Sequence, residues 1–195
     1  FHESFLSELI HAAGADPLEE RLRLIKDPVS RGVLEAVGEM AGWAGADIGP
    51  GRGRGLAFTH SHHVPVAEIV DVTVTENGVR IDDVWIAADC GQVFDPLNAE
   101  AQLTGAAIWG LGHAMNCELT YENYAPVQTN FHAFEGMRLY QTPRFHTRLI
   151  GRAPDVHGLG EPATAPAAPA LADAIFAATG QRLREMPFNK QVDFL

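Results

Sequence analysis

"LAFTHSHHVPVAEIVDVTVTENGVRIDDVWIAADC", residues 56–90, is the stretch on which the fold turns. Val70, Val72 and Val74 alternate with Asp71, Thr73 and Thr75, the period-two pattern of a strand with one buried face. A second run over 80–90 follows Asn77–Gly78, a pair favoured in tight hairpins because both residues tolerate positive φ. The expectation is one strand run over 56–74 and a second over 80–90, joined by a hairpin.

Upstream, "GPGRGRG" (49–55) has neither the G-x-G-x-x-G spacing nor a following GK[ST], and it leads into a strand rather than a helix. It reads as a flexible connector. Residues 1–45 read as a helical segment, with a first helix over about Glu3–Ala13 on which Phe5, Leu6, Leu9 and Ile10 keep a helical period. Asp16 before Pro17, and Asp27 before Pro28, each put an N-capping carboxylate ahead of a proline that suits a first helical turn.

Downstream, residues 46–195 mix the two element types. A helix is expected from about Asn98 to Cys117, then a loop-rich stretch over 118–134, a strand at "RFHTRLI" (144–150), and an alanine-rich helix with Thr164 as N-cap and Gly180 as its stop. Strands and helices segregate rather than alternate strictly, so the fold class is α+β, a mixed sheet packed with helices.

Composition narrows the function classes. The chain has 195 residues, 46% hydrophobic and 20% charged, as in ordinary globular proteins. Its formal charge of −11 argues against nucleic acid or an anionic membrane surface as partner. No apolar run approaches the roughly 20 residues of a membrane span. Cys90 and Cys117 form no metal-ligand spacing and read as free thiols, which favours a reducing, cytoplasmic setting. The opening "FHESF" has no initiator methionine and starts inside a helical pattern, so a piece of a longer chain is expected and periplasmic export stays open.

Three sets of residues invite chemistry. His60 and His62 would share one face of a continuous strand and with His63 could chelate, but no Cys, Asp or Glu nearby completes a set, so they read as surface or cleft histidines and no protein metal ligand is assigned. Gln102 is a polar side chain beside the stripe Ala101, Gly105, Ile108 and Gly112, where small residues allow a backbone or a cofactor to come close. Glu161 lies between Gly160 and Pro162 at a helix mouth, suited to a cap or to a general base held in reach of substrate.

"GLGEPATAPAAPALADAIFAATG" (158–180) resembles the glutamate-bearing segment of the molybdenum hydroxylases, the xanthine dehydrogenase and aldehyde oxidase family. "DCGQVFDPLNAEAQLTGAAIWGLGHA" (89–114) resembles that family's D-C-G-x-x-x-N-P segment, with its following glutamine and glycine-rich helix. The N-terminal helices and "GRGRGLAF" look most like the large subunits of the isoquinoline 1-oxidoreductase and bacterial aldehyde-oxidising branch. The motifs run in matching order over essentially the whole chain.

The resemblance implies that Glu161 is the general base towards a molybdenum-activated water oxygen and that Gln102 hydrogen-bonds the cofactor. It also implies that Gly160, Cys90, Gly91 and Asn98 line a molybdopterin cytosine dinucleotide. Molybdenum is then held by the pterin dithiolene, with no protein ligand. It further implies an N-heterocyclic or aldehyde substrate and [2Fe-2S] clusters on a small iron–sulfur subunit or separate domain. Asp95 departs from the pattern by standing where the family has Asn before Pro96, which puts a cofactor contact there in doubt. The family's large subunits are several times longer, so this chain alone is expected to be inactive. The alternative reading is a docking module without catalysis.

Overall fold

The computed structural model describes residues 1–195. Three helices come first: α1 (His2–Ala12), α2 (Pro17–Leu24) and α3 (Pro28–Ala41). The N-caps are those expected, with Asp16 accepting from the N–H of Leu18 and Glu19 and Asp27 from that of Ser30; Gly42 ends α3 with φ 56°. A four-stranded sheet follows in the order β1 (Arg52–Ser61), β2 (Val64–Thr75), β3 (Gly78–Ala88), β6 (Arg144–Leu149). The first three strands form an antiparallel meander, and β6 pairs with β3 in parallel. Between β3 and β6 run α4 (Pro96–Met115) and a small hairpin of β4 (Tyr121–Glu122) and β5 (Ala125–Pro126). Helix α5 (Thr164–Thr179) comes last. No helix is long and apolar enough to cross a membrane.

Two cores flank the sheet, so the mixed sheet is sandwiched as the α+β reading requires. On one face Val66, Val70, Val72, Val84 and Ile86 meet Leu103, Ala107, Leu171 and Ile175 of α4 and α5. On the other, Leu56, Ile69 and Ala87 meet Val33, Leu34 and Val37 of α3. On that second face the buried Asp71 takes two hydrogen bonds from Arg54, at 2.6 and 2.8 Å, which fixes the β1–β2 register across the strands.

Three expectations change. The run over 56–74 is two strands, because the chain reverses at His62–His63, whose φ values of 50° and 65° make a tight left-handed turn. The second hairpin turns on Glu76–Asn77, with Gly78 already paired to Thr75. In "GPGRGRG" the second half is strand, and its glycines serve packing rather than flexibility. A Cβ on Gly53 would lie 2.1 Å from the carbonyl oxygen of Ala174, and one on Gly55 would lie 2.0 Å from that of Ala170. Helix α5 therefore rests its backbone directly on β1, which explains why the residues at that seat, Ala170, Ala174 and Ala178, are alanines.

Helix α1 docks mainly through polar groups. It turns Glu3, Ser7 and Ile10 inward and leaves Phe5 and Leu9 exposed, a rotation that apolar periodicity alone does not predict. Arg21 donates to Glu3 and Ser7, Ser7 donates to Asp173 of α5, and Arg182 donates to Asp173 at 2.9 Å. Burial, opposed by the hydrogen bond from Ser7 and the charges of Arg21 and Arg182, raises the Asp173 carboxyl to about 6. A pKa raised on folding stabilises below the unfolded value and loses that contribution as pH rises through the folded value. The stability of the wild type relative to Asp173→Asn should therefore grow by roughly 1 to 3 kcal/mol between pH 7 and pH 4, measured by denaturant unfolding at each pH. A difference that stays flat across this range would contradict a proton held at Asp173.

Candidate functional site

One end of the sheet gathers the β1–β2 turn, the C-terminal ends of β3 and β6, and the mouth of α5. The direction of α5 follows from its glycine contacts: Gly53 lies under Ala174 and Ala178, Gly55 under Ala170 and Ala174. Moving up β1 thus moves back along α5, which brings the segment ahead of α5 to the tip at Ser61–Val64.

Asp89, fully buried at the end of β3, organises this end. Its carboxyl oxygens accept from the N–H of Gly91 at 3.0 Å, Arg152 at 2.8 Å and Ala153 at 3.0 Å. The loop leading to Glu161 is thereby laid on the Asp89–Gly91 turn, and the His157 N–H donates to the Cys90 carbonyl at 2.9 Å. Gly91 has φ 77°, and a Cβ on it would strike the Asp155 carbonyl at 2.1 Å. Cys90 buries its thiol at the edge of the core, where burial pushes its pKa up and the Sγ–H donates to the Gly91 carbonyl at 4.0 Å. Sequence reasoning did not single out Asp89; the signal was an acid closing an apolar strand directly ahead of Cys-Gly.

Helix α4 supplies the other wall. Asp95 caps it by accepting from the Asn98 N–H at 3.0 Å, so the departure from the family pattern has a local structural use. Asn98 itself is exposed near the start of the helix. Helices α4 and α5 cross closely: Thr164 Oγ1 donates to the Ala106 carbonyl at 3.1 Å, and a Cβ on Gly110 would meet the Thr164 carbonyl oxygen at 2.4 Å. Thr164 therefore bonds across to α4 instead of capping α5, whose N-terminus has no side-chain cap. Gln102 is exposed rather than buried, and its Oε1 lies 3.8 Å from where a Cβ on Gly160 would sit. Two residues far apart in sequence, Gln102 and Gly160, thus meet beside Glu161.

Glu161 is 73% exposed and its Oε1 is 3.3 Å from His62 Nδ1. The Ser61 hydroxyl is 2.9 Å from the same nitrogen. Both contacts fall on one ring nitrogen, so this is not a Ser–His–acid relay, which uses both nitrogens. The turn also separates His60 from His62, removing the shared strand face on which chelation was considered. Beneath α5, Glu68 is fully buried with neither oxygen hydrogen-bonded, and Thr59 Oγ1 on the neighbouring strand is likewise unpartnered. Burial raises the Glu68 carboxyl well above the usual range.

The donor set at this end suits an acceptor-rich anionic ligand. No backbone carbonyl of the chain accepts from the N–H of Gly158, Leu159, Gly160 or Glu161. A Cβ on Gly158 would meet nothing within 4 Å, so bare backbone is open to close approach there. These free N–H groups, the uncapped mouth of α5 and the Gln102 amide fit the phosphate and ring carbonyl acceptors of a pterin cofactor. A cavity of about 500 Å³ lined by Ser7, Arg54, Asp173 and Arg182 lies at the other end of α5, away from Glu161.

Known proteins resemble this chain over most of its length. A family model described as "Molybdopterin cofactor-binding domain" matches residues 11–143, ending ahead of Glu161. The chain is 32% identical over 192 residues to the beta subunit of isoquinoline 1-oxidoreductase from Brevundimonas diminuta, an alignment covering 96% of this chain and 25% of that protein. It is 29% identical over 211 residues to one of the subunits of nicotinate dehydrogenase from Pseudomonas putida, covering 97% and 18%. The chain thus spans a quarter or less of the length of these relatives. The fold resembles quinoline 2-oxidoreductase from Pseudomonas putida 86, with a TM-score of 0.55 and 22% identity over 64% of this chain and 17% of that one. The aldehyde oxidoreductase of Desulfovibrio desulfuricans ATCC 27774 gives a TM-score of 0.55 at 21% identity, covering 64% and 14%.

Proposed function

Because the chain belongs to the molybdopterin cofactor-binding domain family, we propose that it forms one wall of the active site of a molybdenum-dependent hydroxylase, with Glu161 as general base and Gln102 as an orienting amide. The observation that carries this reading is the meeting of Gln102 with Gly160, next to an exposed, reachable Glu161. When bound, the molybdenum cofactor supplies a two-electron acceptor and activates the water-derived oxygen that enters the substrate. Gln102 holds the cofactor edge by its amide, and the open N–H groups of residues 158–161 receive acceptor atoms. The exposed Asn98 side chain lines the dinucleotide beside the Gly91 turn, whose own N–H is taken by Asp89. Glu161 takes the proton from the attacking oxygen at Oε2, the oxygen not engaged by His62.

The substrate is an N-heteroaromatic ring or an aldehyde, and the electrons leave through iron–sulfur clusters on a small partner protein. The dinucleotide is the cytosine form. The chain on its own is inactive on this reading, since it supplies one wall of the site and covers 25% of the isoquinoline 1-oxidoreductase beta subunit. Gln102→Leu in the complete, cofactor-loaded polypeptide tests the wall. Retention of molybdenum through gel filtration should weaken roughly tenfold. Unfolding stability should stay within about 0.5 kcal/mol, because the side chain is exposed. Full retention would count against Gln102 as a cofactor contact.

The docking reading draws on one observation: Tyr124, Phe131, Leu139 and Tyr140, in the segment after α4, are 77% exposed or more. It predicts turnover that is indifferent to residue 161.

A further inference from the structure

We propose that the His62–His63 turn is a positioning clasp for the segment that carries Glu161, an inference that rests on the reading of Glu161 as the base. Hairpin turns with two consecutive left-handed residues favour Asn-Gly, and a pair of larger side chains there is conformationally unfavourable. The strand register, Ser61 opposite Val64, is satisfied equally by Asn-Gly, so sheet pairing gives no reason for two histidines. Their side chains do give one. His62 Nδ1 approaches Glu161 Oε1 at 3.3 Å. The His63 ring stacks on the His157 ring with centroids 5.2 Å apart and planes at 27°.

Successive residues of the turn therefore grip the two ends of residues 157–161. Between those ends the backbone N–H groups from Gly158 to Glu161 meet no backbone acceptor, and Leu159, buried in the core, is the anchor. The His62–Glu161 contact is 73% exposed on both sides, so it adds little to stability. Its value is orientation: it occupies Oε1 and leaves Oε2 for the proton. His62 and His63 are positioning residues here, acting through Glu161 and His157.

The test replaces both by the residues the turn prefers. His62→Asn with His63→Gly removes the clasp and keeps the hairpin. Hydrogen exchange by mass spectrometry on the complete polypeptide reads the result. The amides of His157 and Thr164, bonded to the carbonyls of Cys90 and Glu161, should exchange roughly fivefold faster. The Tm should hold or rise. With cofactor loaded, kcat should fall by a similar factor while substrate KM and molybdenum content stay put.

Unchanged exchange at these amides overturns the clasp. So does a drop in Tm with faster exchange throughout the chain, which would make the turn merely structural. The base reading fails separately: turnover surviving Glu161→Gln removes it and leaves the exchange result standing.

Discussion

Glu161→Gln in the complete, cofactor-loaded polypeptide is expected to lower kcat by about 10²- to 10⁴-fold while leaving molybdenum content and Tm unchanged. The amide keeps the size of the carboxyl and can still contact His62, but it cannot take a proton. Because the side chain is 73% exposed and its contact with His62 is a surface one, the fold has little stake in it. The loss should appear equally in kcat and kcat/KM, the pattern of an interaction made in the transition state. Turnover within about tenfold of wild type would place the base elsewhere and favour docking without catalysis.

The second large effect concerns the scaffold. Gly55→Val should destabilise by about 3 kcal/mol or more, beyond the usual range for overpacking. A Cβ at residue 55 would lie 2.0 Å from the Ala170 carbonyl oxygen and 2.4 Å from the Ala174 nitrogen. Those are backbone atoms of a helix, so relief requires moving α5 as a body. Denaturant unfolding measures the loss against a total stability of roughly 5–15 kcal/mol. Gly105→Ala is the control. Nothing lies within 4 Å of a Cβ there, and removing a helical glycine should gain about 0.5–1 kcal/mol. Equal effects at the two positions would contradict the close seat of α5 on β1.

The glycines of β1 also mark where sequence reasoning stops. Asp16–Pro17 and Asp27–Pro28 announce their helices because capping is a local interaction between neighbours in the chain. Gly53 and Gly55 resemble linker residues because the helix that needs them begins more than a hundred positions later. The hairpin at His62–His63 is hidden for a chemical reason: its residues are not turn formers, and the valines after it continue the strand pattern. A continuous strand there makes chelators of histidines that instead face Glu161 and His157.

Within the candidate site, Glu161 and Gln102 are legible through their motifs. Their nearness is not, since it depends on how α4 crosses α5 at Gly110 and Thr164. Asp89 is hidden for the opposite reason. Its partners are main-chain groups, which leave no complementary residue types to notice.

The Asp89 anchor has a consequence for diversification. A knot tied solely to peptide groups is blind to what projects from them. Positions 152–156 can then be rewritten almost freely, with proline the exclusion at 152 and 153, where an N–H is required. A library randomised across those positions should yield mostly folded variants, a tolerance set by the anchor and not by the side chains it holds.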